Sequence, residues 1–96
     1  MTHITHNLML NLYFTDAIYN GRRTFDIRRN DRGFQAGDHI VYTPFKSGET
    51  DRAKMYPEHP IKDEEYEITY ILNGWGLKED FVVLGIRRVE DEGRKK

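Results

Sequence analysis

Five arginines, Arg22, Arg23, Arg28, Arg29 and Arg32, fall inside the twelve-residue stretch Gly21–Arg32 and are met there by only two aspartates, Asp26 and Asp31. A guanidinium grips phosphate bidentately and stacks on bases, and single-stranded nucleic acid is commonly held by such groups interleaved with aromatics. The same pattern also fits an ordinary surface salt-bridge cluster. Thr24, Asp26 and Arg28 alternate with Phe25 and Ile27. That is the period-2 signature of a strand with Phe25 and Ile27 in the core and three polar side chains projecting together, about 7 Å apart. Trp75, between Gly74 and Gly76, reads either as a packing residue or as an exposed stacking platform. The run Asp63-Glu64-Glu65-Tyr66-Glu67 reads as a solvated strand entrance, with the alternative that one carboxylate reaches back to the arginine face.

Other chemistry is sparse. No phosphate-binding glycine loop, dinucleotide fingerprint or nucleophile elbow is present. The absence of cysteine removes disulfides, thiolate nucleophiles and cysteine-ligated zinc. His3 and His6 stand three apart while His39 and His59 are isolated, so neither a metal nor a cofactor is expected. The net charge of −1 is uneven, with a basic excess in residues 1–32 and 81–96 and an acidic one in 33–80. General electrostatic capture of nucleic acid is therefore not expected, and any anion site must be local.

The elements that must position these residues fit one domain over residues 1–96, with an ordered core of about residues 6–88 and a frayed tail at 89–96. Phe14, Ala17, Ile18 and Gly21 share one helical face, which predicts a helix over about Leu12–Tyr19, capped by Asn11 and stopped by Asn20-Gly21. Phe34 is expected to plug the core, and His39–Phe45 to form a strand with Pro44 marking an edge or exit. Residues 46–65 read as a long loop with a short turn at Ala53–Tyr56. In the strand Tyr66–Leu72, residues Tyr66, Ile68, Tyr70 and Leu72 lie on one side, and Phe81–Ile86 is a strand buried on both faces. A mainly β, α+β fold built as a small mixed-topology β-barrel with one N-terminal helix follows. No apolar run is long enough to span a membrane and no leader is visible, so a cytoplasmic protein is expected.

The stretch Gly21-Arg22-Arg23-Thr24-Phe25-Asp26-Ile27-Arg28 resembles the G-x-K-x-x-E-x-R signature of the ASCH domains, a branch of the PUA-like superfamily. Arg23 stands where that family has lysine, and Asp26 where it has glutamate. From about His6 to Ile86 the chain is similar to a small ASCH-like subfamily of unknown function from bacteria and their phages. The resemblance implies a PUA-like β-barrel with the N-terminal helix flanking a cleft, the signature residues lining that cleft, and a role in binding RNA. Fuller members include amidohydrolases acting on N4-acetylcytidine through a lysine, a neighbouring threonine and a distant glutamate. Arg23 and Thr24 match the first two, and Glu67 is the candidate for the third. A guanidinium stays protonated and cannot replace lysine as a base. The expectation is therefore a monomeric module binding single-stranded or modified RNA, or a nucleoside-like small molecule, through Arg22, Arg23, Thr24, Asp26, Arg28, Arg29, Arg32 and Trp75, with nucleoside hydrolysis by Thr24 and Glu67 as the alternative. Arg28→Ala is expected to weaken binding without unfolding the protein.

Overall fold

The computed structural model describes residues 3–47 and 53–89. Thr5–Asn11 forms β1, Leu12–Tyr19 α1, Phe25–Arg29 β2, His39–Ser47 β3, Ala53–Met55 β4, Tyr66–Asn73 β5 and Phe81–Arg88 β6, with a 3₁₀ turn at Pro60–Asp63. The fold is mainly β with one α-helix among the described residues, as expected from sequence. The expected frayed tail lies, apart from Val89, outside the described residues, as does the 48–52 part of the long loop.

The sheet runs β1-β3-β5-β6-β2, with β4 pairing the far end of β3. β1 and β3 are parallel, from Thr5 opposite His39 to Asn11 opposite Phe45. The other ladders are antiparallel. The expected closed barrel is corrected: among the described residues no ladder joins β1 to β2, and the sheet stays open between them. It nevertheless curls, since the Tyr42 hydroxyl on β3 donates to Asp26 on β2 over 2.9 Å. Arg28 Nη2 then donates to the Met9 carbonyl over 2.6 Å, so side-chain atoms from β2 span a seam that backbone would close in a barrel.

β1 was not legible as a strand, although its burial alternates strictly, His6, Leu8 and Leu10 inward and Thr5, Asn7 and Met9 outward. It passes into α1 with no intervening turn. Asn11 ends the strand and caps the helix, its side chain accepting from the Tyr13 amide at 2.8 Å. Removing that acceptor in Asn11→Ala should cost about 1 kcal/mol, while Asn11→Asp should be near neutral; urea unfolding of both variants checks this. The helix limits are as expected, but its face is turned. Thr15 and Ile18 are buried while Phe14 is partly exposed. Thr15 tolerates burial because its hydroxyl donates to the Asn11 carbonyl at 3.0 Å.

The core gathers Leu8 and Leu10 from β1, Ile40 and Tyr42 from β3, Tyr66 and Ile68 from β5, and Val82, Leu84 and Ile86 from β6, closed by Ile18, Ile61 and, as expected, Phe34. Three expectations change. Pro44 marks no edge: it is buried within β3, beyond the β5 pairing at His39–Ile40 and before the β4 pairing at Phe45–Ser47. β6 is the strand between β5 and β2, and only Val82, Leu84 and Ile86 are fully buried. In β5 the register slips at Thr69, with Ile68 opposite Ile86 but Tyr70 already opposite Gly85. This bulge adds a residue and shifts the alternation. Tyr70 therefore points outward, and Ile71 packs on the core.

Candidate functional site

β2 carries most of the expected site residues, and its faces are the reverse of the sequence reading. Asp26 is 3% exposed, whereas Phe25 and Ile27 are 43% and 48% exposed. Polarity predicts the outward face only where the interior is apolar, and here the interior holds a built polar network. Asp26 Oδ2 accepts from Arg28 Nε at 2.7 Å and from the Tyr42 hydroxyl at 2.9 Å. The Arg28 guanidinium also lies 5.7 Å from the Tyr42 ring centre. Burial, and then the Asp26 carboxylate, hold the Tyr42 phenol well above its usual pKa, so it remains a donor. Asp26 and Arg28 are consequently committed to each other and to the seam.

Arg23 and Thr24 are elsewhere, at the mouth of a cleft of about 290 Å³ below the C-terminal end of α1. Tyr19, Asn20, Tyr66 and Arg88 share the lining. Arg23 packs between two rings, 4.2 Å from the Phe14 centre and 4.8 Å from that of Phe25, and its Nε donates to the Phe25 carbonyl at 2.9 Å. Strand carbonyls alternate in direction, and that of Thr24 accepts from the Ile86 amide on β6. The Phe25 carbonyl thus faces the free edge of β2, where Arg23 satisfies it. A guanidinium has five N–H donors, and this bond uses one. On the opposite wall Arg88 donates to the Tyr19 carbonyl and the Tyr66 hydroxyl, lies over the Tyr19 ring and is 3.6 Å from Glu64. Burial raises the Tyr66 pKa, with Arg88 opposing it, and the bond to Tyr66 raises that of Arg88. This wall is close to electrically neutral, and Arg23 supplies the cleft's spare positive charge.

Arg87, paired with Glu67, also borders this cleft, whereas the other arginines of the Gly21–Arg32 cluster do not line it. Arg22 is exposed at its approach, in the bend between α1 and β2. Arg29 stacks over Phe81 at 5.4 Å and, with Arg28, Asp31 and Arg32, borders a separate groove under Phe34 at the other end of β2. Five strand residues, about 17 Å of chain, separate the two ends. Trp75 belongs to that far end, since the β5–β6 hairpin it tops meets the end of β2 through Arg29 opposite Phe81 and the Asn30 amide on the Asp80 carbonyl. It is 89% exposed, with φ of +53°, so its packing reading is corrected. Thr24 and Glu67 are not brought together. Thr24 opens to the cleft beside Ile86, an inward residue, whereas Glu67 has outward parity and pairs with Arg87.

Tyr19, Tyr42, Tyr66 and Arg88 were missed by the sequence reading. The available signal is the Arg87-Arg88 pair that closes an apolar strand. Among the described residues no group of three metal-ligating side chains converges, and no helix is long and apolar enough to cross a membrane.

A family model described as a domain of unknown function, DUF3850, matches residues 5–86, which spans every element from β1 into β6. No curated protein matches the chain.

Proposed function

We propose a function for a chain that belongs to the DUF3850 family, a domain of unknown function: it is an RNA- or nucleotide-binding module of the ASCH or PUA-like type, taking one nucleoside of a single-stranded or modified RNA, or a free nucleoside-like molecule, in the cleft below α1. The observation that carries the reading is Arg23, held between the rings of Phe14 and Phe25 at a cleft that Tyr19 and Tyr66 also line. At about 290 Å³ the cleft lies at the small end of the range for ligand pockets, which suits one nucleoside. Thr24 and Asn20 offer hydrogen bonds to a base or sugar edge, and Arg23 takes a phosphate. Arg29 and Arg32 continue the anion path at the far end, and Trp75 is an exposed stacking group beside them. Asp26 and Arg28 act on the ligand indirectly, by fixing β2. The hydrolytic alternative rests on Thr24, because Glu67 faces the other way.

Amide NMR titration with cytidine, N4-acetylcytidine and a short single-stranded RNA tests the reading. Shifts centred on Tyr19–Thr24, Tyr66 and Arg88 are expected, with Arg23→Ala weakening RNA binding about ten-fold or more. Salt should weaken the RNA complex much more than the nucleoside complex. Undiminished affinity in a folded Arg23→Ala variant would sink the assignment.

A further inference from the structure

The outer face of β2, β6 and β5 has a feature that the cleft does not use. Register places Phe25 opposite Gly85 and Gly85 opposite Tyr70, so two aromatic side chains stand on either side of a glycine in one row. Both are solvent-facing, Phe25 43% and Tyr70 65% exposed. Strands one place apart are separated by about 4.8 Å, so the backbones of β2 and β5 are about 9.6 Å apart, and Gly85 itself raises no side chain between them; the Tyr70 Cβ stands 3.5 Å from where a Gly85 Cβ would be. A planar ring in van der Waals contact on both faces needs about 7–8 Å between its neighbours. The slot is therefore one ring wide.

Its floor is polar. The Thr69 bulge brings Oγ1 to within 3.1 Å of the position a Cβ on Gly85 would occupy. Thr69 is exposed, and its hydroxyl can donate and accept. The adjoining row, Ile27, Val83 and Leu72, is apolar. Arginines rim the platform: Arg23 lies against the Phe25 ring, Arg29 over Phe81, and Arg87 beyond Gly85 on β6. Glu67, the carboxylate that register places across from Arg87, is paired with it. With Arg87 neutralised by Glu67, Arg23 and Arg29 leave the rim net positive, which opposes docking of a second copy through the same face and suits a polyanion carrying planar bases.

We propose that this face binds one base of a single-stranded RNA, inserted between Phe25 and Tyr70 over Gly85, with Thr69 meeting its polar edge. The proposal rests on the reading of the protein as an RNA-binding module and adds a second contact outside the cleft. Phe25 touches Arg23, so a strand leaving the cleft reaches the slot directly.

The test compares wild type, Tyr70→Ala and Tyr70→Phe by amide NMR and by affinity for a ten-nucleotide single-stranded RNA and for cytidine. Tyr70 is exposed, so its removal should leave the spectrum folded. The expected result is RNA-induced shifts at Phe25, Thr69, Tyr70 and Gly85, five-fold or greater weakening of RNA in Tyr70→Ala, recovery in Tyr70→Phe, and cytidine binding unchanged in all three. RNA affinity unchanged in Tyr70→Ala, while the cleft residues still respond, overturns this proposal and leaves the cleft reading standing. Silence at both places overturns both. Concentration-dependent self-association lost in Tyr70→Ala, with no RNA effect, reassigns the face to a second copy and overturns it as well.

Discussion

Asp26→Ala should destabilise the protein by about 3–5 kcal/mol, among the largest losses available to a single substitution in this chain. The size follows from what is left behind. Arg28, its side chain 20% exposed, would keep only its bond to the Met9 carbonyl, and the fully buried Tyr42 hydroxyl would lose its acceptor. Tyr42→Phe removes one of these bonds without stranding a charge and should cost about 1 kcal/mol. Arg28→Ala should be intermediate, because it leaves the Asp26 carboxylate with Tyr42 alone and unpins the β1/β2 seam. This replaces the expectation from sequence that Arg28→Ala affects binding only. Urea unfolding of the three single variants and the Asp26/Arg28 double variant reads the coupling directly. A loss of about 1 kcal/mol or less in Asp26→Ala would mean that the network contributes little.

Asp38→Ala is expected to be comparably severe, and its effect should depend on pH. The Asp38 carboxylate pairs with His6 at 2.9 Å and accepts from the Gln35 and Ile4 amides at 3.1 and 3.4 Å, tying the start of β1 to the turn before β3. Burial alone would raise its pKa, but the hydrogen bonds from His6 and from the two amides outweigh it and hold the carboxyl below its ordinary value. A carboxyl whose folded pKa lies below its unfolded value, about 3.9, stabilises the fold fully above that value. The contribution is lost as pH falls through the folded pKa. Urea midpoints of wild type should therefore decline below about pH 4, and Asp38→Asn should show a flatter decline at the acid end. Identical acid profiles for the two proteins would remove Asp38 from the account.

What could be read in advance was local chemistry. Asn11 and Asn20-Gly21 mark the ends of α1 because caps satisfy helix-end groups whatever the helix packs against. Alternation located β2 and the first half of β5 for the same reason. What failed was orientation. The rule that apolar side chains face inward placed Phe25 and Ile27 in the core, and the structure buries Asp26 because Tyr42 and Arg28, one distant in sequence, complete its hydrogen bonds. The bulge at Thr69 has no sequence mark of its own, yet it turns Tyr70 outward and creates the platform. The site divided for a related reason. Arg23 to Arg32 form one cluster in sequence, but a strand spaces its ends apart, and residues from β5 and β6 complete the cleft at one end.

The parallel pairing of β1 with β3 governs the order in which the molecule can assemble. β5 and β6 join through a short turn, so their ladder closes few residues of loop and can form early. Each β1 partner lies 34 positions further along the chain, and α1 and β2 intervene. That loop-closure entropy must be met before any β1 contact is gained. During synthesis β1 emerges before β3 and cannot take its place in this sheet until β3 follows. Leu8 and Leu10 stay uncovered over that interval, which leaves β1 exposed to misassociation until β3 has been made.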